Sequence, residues 1–115
     1  MEDSILNKLT RTETSIKRHE KMIEVGDKLN RLKSNSDFNS IFIDGILGAE
    51  LKALANSLCE DTLTPEKEEK VLKEIHLRKW LKSILKDIKT NHKKASKNLK
   101  DDVEVKKQLL NKDKI

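Results

Sequence analysis

"SDFNSIFIDGILGAELKALANSL", residues 36 to 58, is the most apolar stretch of a chain otherwise crowded with lysine, and its reading decides the fold. It holds both phenylalanines and two of the three glycines, Gly45 and Gly48. Three readings are open: a core, a membrane segment, or a surface for a partner. The membrane reading fails, because Asp44, Glu50 and Lys52 interrupt the run and a span needs roughly 20 mostly apolar residues. Phe38, Ile41, Phe42 and Gly45 share one helical face, and Leu47, Leu51, Leu54 and Leu58 continue it at spacings of four, three and four. The two glycines sit at the join, as a kink in one helix, as the break between two short ones, or as places where another backbone comes close.

The flanks of this stretch are punctuation. "KSNSD" competes for backbone hydrogen bonds, so Asn35 or Ser36 caps the apolar helix. Downstream, "CEDTLTPEKEEK" carries Thr64 as N-cap and Pro65 at the first helical position. Glu66, Glu68 and Glu69 then lie near the positive end of a new helix. That helix takes Val71, Leu72, Ile75, Leu77, Leu81, Ile84, Leu85 and Ile88. A connection of about five residues predicts an antiparallel hairpin over 36–88. Counted from residue 62 at the turn, Phe42 lies twenty residues back and Trp80 eighteen forward, which sets them at similar height and predicts that they pack together.

Before the hairpin, residues 1–35 contain no proline. Ile5, Leu9, Ile16 and Ile23, then Met22, Val25, Leu29 and Leu32, make a narrow, drifting stripe. With Thr12 and His19 in it, the stripe is that of a coiled coil rather than of a helix sunk in a globule. Gly26 marks a candidate bend. Beyond Ile88 the apolar face thins, and residues 89–115 read as a lysine-rich extension, either continuing the third helix as a weakly apolar rod that pairs with the N-terminal helix or partly disordered until bound.

At 115 residues with 35% hydrophobic side chains, the chain is one small domain at most. Its aromatics are only Phe38, Phe42 and Trp80, so leucine and isoleucine must supply a thin core. Such a chain gains stability by oligomerising or docking. The lone Cys59 excludes an internal disulfide and sits where a helix would bury it, which suits a reducing compartment. The opening Met1 to Asp3 is acidic with no apolar run behind it, so no signal peptide is expected.

The net charge of +5 is unevenly laid out, with three basic and eight acidic groups over 36–70 but fourteen and six over 71–115. Lys82, Lys86, Lys89, Lys93, Lys97 and Lys100 follow spacings of four, three, four, four and three, which places them along one helical face. That face has three readings: a solvated surface, a contact for an acidic protein, or a track for a phosphate backbone. Twenty-one of 25 cations are lysine and no aromatics are interleaved, which disfavours bidentate clamps and base stacking.

Catalytic chemistry finds no foothold. His19, His76 and His92 are scattered, Cys59 has no near partner, and no metal is expected. His76 reads as a partly buried histidine beside Leu72 and Ile75. Asp101, Asp102 and Glu104 read as partners of neighbouring lysines such as Lys97 and Lys106. No phosphate loop or nucleophile arrangement is present, so no enzyme and no cofactor are expected.

One resemblance adds to this. From Gly26 to Leu85 the chain resembles a family of small proteins of tailed bacteriophages, with an "LxRLxxNxDF" entry (Leu29, Arg31, Leu32, Asn35, Asp37, Phe38). Gly45 and Glu50 to Leu54 come next, then Ile75, Leu81 and Leu85. The likeness covers roughly 22–88; Gly48 and Ala49 stand where larger residues are usual, and the lysine tail lies outside it. It implies a virion structural or head-assembly protein.

The expectation is therefore an all-α, elongated protein: an N-terminal helix, a hairpin, and a basic extension. Phe38, Phe42, Gly45, Gly48, Leu51, Leu54, Trp80 and Ile84 form its core or partner interface. Its expected role is to oligomerise and dock on capsid, portal or connector proteins, in the virion or the host cytoplasm. The alternatives are a nucleic-acid-binding phage protein for packaging or regulation, and an inhibitor of a host enzyme.

Overall fold

A computed structural model describes residues 2–113, and side chains from Ser4 to Lys112. Met1, Lys114 and Ile115, the outer ends of the expected N-terminal helix and basic extension, lie outside the described residues. The chain is all-α. Helix α1 spans Glu2–Lys33, a second helical run covers 36–57, and α4 spans Pro65–Asp113. The second run opens as α2 (Ser36–Phe38), winds as a π-helix over Asn39–Ala49, and closes as α3 (Glu50–Ser57).

The expected punctuation is in place. Asn35 has extended backbone and its side-chain oxygen accepts from the Phe38 N–H at 2.9 Å, capping α2. Thr64 Oγ1 accepts from the Lys67 N–H at 3.3 Å and its carbonyl from the Glu68 N–H at 2.9 Å, so α4 starts at Pro65. The turn over 58–64 is two residues longer than expected. It exposes Cys59 rather than burying it, because the thiol falls past the last turn of α3.

The chain forms two compact units. One joins residues up to Lys28 with those from Ile88 onward; the other is Leu29–Asp87. In the first unit α1 and α4 run antiparallel, as three contacts show. His92 Nε2 donates to Asp27 Oδ1 at 2.9 Å, His19 Nδ1 to Asp102 Oδ2 at 2.9 Å, and Lys106 Nζ lies 3.6 Å from Glu13 Oε1. Residue numbers rise along α1 as they fall along α4. Protected positions recur at 5, 9, 12, 16, 19, 23 and 26 on α1 and at 88, 92, 95, 99, 102, 106 and 109 on α4, with Ser15, Met22 and Ser96 half-buried beside them. Both series step four, three, four, three, the repeat of a coiled coil. The segment beyond residue 89 is thus helix to Asp113, seated on α1.

Gly26 belongs to this seam. It lies within the continuous helix α1, and a side chain there would overlap the Cβ and ring of His92. The glycine lets the two backbones approach at one layer; this, rather than flexibility, is its use.

In the second unit the apolar stretch is one helical run without a break, and its glycines sit in the π-wound middle. The Glu50 N–H reaches back five residues to the Gly45 carbonyl. A Cβ on Gly45 or Gly48 would stand 3.1 or 3.2 Å from the carbonyl five residues behind it, tight for a carbon. The wider turn resets the apolar face, so Phe38, Phe42, Leu47 and Leu51 step four, five and four. Leu47 becomes the most deeply buried large side chain, at 2% exposure.

Two expectations about the hairpin core are corrected. Trp80 is 60% exposed and does not stack on Phe42; the Phe42 ring stacks instead on Phe38, with centroids 5.3 Å apart. Trp80 lies five residues beyond buried Ile75, which at 3.6 residues per turn rotates it about 140° away. His76, next on α4 after Ile75, is likewise exposed rather than partly buried.

Candidate interaction surfaces

The seam of the first unit is polar at its centre. Ser15 Oγ donates to Asp102 Oδ2 at 2.6 Å and His19 Nδ1 donates to the same oxygen at 2.9 Å, with His19 only 7% exposed. Serine, histidine and aspartate meet here, but the carboxylate stands between the other two. The serine hydroxyl is directed at Asp102, so this carboxylate ties Ser15 and His19 of α1 to α4. The Asp102 partners correct the expectation that it serves a neighbouring lysine. Lys106 too reaches across the seam, to Glu13.

A second tie lies in the other unit. Arg78 on α4, with its side chain only 16% exposed, donates to Glu50 of α3 at 3.1 Å and to Glu74 one turn back. Hydrogen bonds to Glu74, and next to Glu50, raise its pKa above the ordinary arginine value. Its Nε is buried with no partner. Pairing of Glu50 with Arg78, together with the short reversal over 58–64, sets α3 antiparallel to α4.

Of the residues expected to form the interface, Phe38, Phe42, Gly45, Gly48, Leu51, Leu54 and Ile84 are half-buried, and Trp80 is open to solvent. The fully buried apolar side chains of this unit are others, Leu29, Leu47 and Ile75. Large apolar groups remain uncovered around them: Ile41 at 67%, Leu77 at 49% and Leu72 at 38% exposure. This unit is electrically neutral, with ten basic and ten acidic residues over 29–87.

Charge lies elsewhere. Residues 1–28 carry six basic and six acidic groups, so the whole excess of +5 falls on 88–115, with nine and four. Between Ile88 and Lys100 there are five lysines and no carboxylate. Lys89, Lys93, Lys97 and Lys100 are exposed on α4 in the first unit, and Lys82 and Lys86 are exposed on α4 in the second. None of the six is in an ion pair among the described residues.

Among the described residues no group of three or more His, Cys, Asp or Glu could hold a metal ion, and no helix is long and apolar enough to cross a membrane. Comparison with known protein families, curated proteins and solved structures finds no match for this chain.

Proposed function

We propose that this chain is a non-enzymatic assembly protein that works by helical oligomerisation and by docking on larger proteins, in the setting of a tailed-phage virion or head. One observation carries the protein-binding part: a neutral unit with three buried apolar side chains leaves Ile41, Leu72, Leu77 and Trp80 uncovered. Exposed apolar surface on that scale, on a unit with so small a core, marks an interaction site. The phage setting, with capsid, portal or connector proteins as partners, rests on the resemblance over residues 22–88.

A second reading has its own support. Five lysines without a carboxylate over 88–100 form a surface suited to a phosphate backbone. One experiment separates the two: the absolute mass of the purified protein by light scattering, with and without a DNA duplex, at low and moderate salt. A defined oligomer indifferent to DNA is the expected result. A monomer that shifts onto DNA at low salt and is released by added salt would replace the assembly reading with nucleic-acid binding.

A further inference from the structure

A groove of about 460 Å³ runs between α3, with the end of the π-helical segment, and α4. Leu47, Leu51, Ala55, Leu58, Leu72 and Ile75 give it an apolar lining, with Gly48 among them. Its polar edge is Lys52, His76, Lys79 and Lys82, and no carboxylate lines it. Glu50 and Glu74 of the same helices are held away from it by Arg78. The unit is thus neutral as a whole, but the groove itself is apolar and edged by cations.

We infer that this groove receives an amphipathic helix of a partner protein, with leucine-like side chains on one face and acidic residues flanking them. Three features fix that occupant. The lining on α4 extends from Leu72 to Lys82, about 15 Å at 1.5 Å per residue, which is three turns of a guest helix. An apolar lining takes anchors at helical spacing, the way grooves between helices hold amphipathic partners. The edge selects charge, because a basic guest would set its cations against Lys52, Lys79 and Lys82, whereas an acidic one pairs with them. This inference rests on the protein-docking reading above and gives that partner a chemistry.

The test uses the full-length chain and two fluorescein-labelled 15-residue helical peptides. They share leucines at positions i, i+4, i+7 and i+11, with glutamates flanking the leucines in one and lysines in the other. Anisotropy should rise with the glutamate peptide at protein concentrations where the lysine peptide stays free. Lys79→Glu with Lys82→Glu, both exposed and away from the core, should weaken the glutamate peptide by about tenfold or more. Ala55→Trp, which fills the groove, should abolish binding while the helical circular dichroism stays unchanged.

Equal binding of both peptides, or indifference to the lysine reversals and to Ala55→Trp, would overturn the inference. So would a DNA duplex that binds where neither peptide does. A second copy already seated in the groove would overturn it too, and would show as an Ala55→Trp protein whose light-scattering mass falls. A monomer that still binds the glutamate peptide would sink self-association and leave the groove standing. A defined oligomer that ignores both peptides would do the reverse.

Discussion

The two units solve the same shortage of apolar residues in opposite ways. The first unit keeps a regular heptad and fills part of it with polar groups. Of its fourteen seam positions, Thr12, His19, Gly26, His92, Asp102 and Lys106 are not apolar, and cross-helix contacts by His19, His92, Asp102 and Lys106 stand in for hydrophobic burial. The second unit keeps its residues apolar and changes the helix instead, through π winding that turns Leu47 inward and leaves Ile41 out. Polar ties specify which helix face meets which, while a small apolar core leaves sticky surface behind. The first arrangement closes on itself, and the second leaves large apolar side chains uncovered.

The sharpest way to break this contrast is to empty the apolar core. Leu47→Ala should cost about 3 to 5 kcal/mol, since Leu47 is nearly fully buried and the unit has few other buried groups to close the void. Trp80→Ala, at 60% exposure, should cost less than about 1 kcal/mol despite removing a far larger side chain. Chemical denaturation gives both values, and amide exchange should show Leu47→Ala loosening residues 29–87 first. A Trp80 variant as damaged as the Leu47 variant would mean that the indole is covered in solution.

Next in size is the close approach at Gly26. Gly26→Ala gains about 1 kcal/mol of helix propensity but sets a methyl against the Cβ of His92, which cannot rotate away. The overlap forces the helices apart, so the net loss should be about 2 kcal/mol, in the range of overpacked cores. Loss of exchange protection confined to the segments around residues 26 and 92 is the expected signature. A variant more stable than the parent would show that the two backbones do not meet there.

How much of this is legible in the sequence varies with what carries each element. Caps at Asn35 and Thr64 and the turn between Ser57 and Pro65 are readable, because local side-chain chemistry determines them. The N-terminal stripe with Thr12 and His19 shows the coiled coil on one side only. Its other half is legible only as one of two readings, a rod paired with the N-terminal helix or a disordered tail, since His92, Ala95, Asp102 and Lys106 make the α4 seam look polar and count as seam only when the partner helix is known. Asp102 reads as a partner of neighbouring lysines for the same reason. The π winding is less visible still. Two glycines at 45 and 48 fit a kink in one helix, a break between two or a close approach of another backbone, and only the backbone chooses a wider turn that moves Leu47 inside. Trp80 escapes placement because matching heights along two helices fixes level but not direction, and about 140° of rotation from Ile75 decides exposure.

The smallest effect probes the polar ties themselves. Asp102→Asn keeps the shape but removes the charge that accepts from both Ser15 and His19, and should cost about 1 to 2 kcal/mol by leaving a buried donor poorly matched. If the tie exists to set register, the layer as a whole should add little net stability, because desolvating its polar groups offsets their pairing. The combined change Ser15→Ala, His19→Leu and Asp102→Leu should therefore be as stable as the parent or more so, while its light-scattering mass becomes heterogeneous as the apolar seam accepts other helices. A combined variant that is both less stable and uniform in mass would show the opposite: the Asp102 layer holds the first unit together by its own energy, as Leu47 does the second.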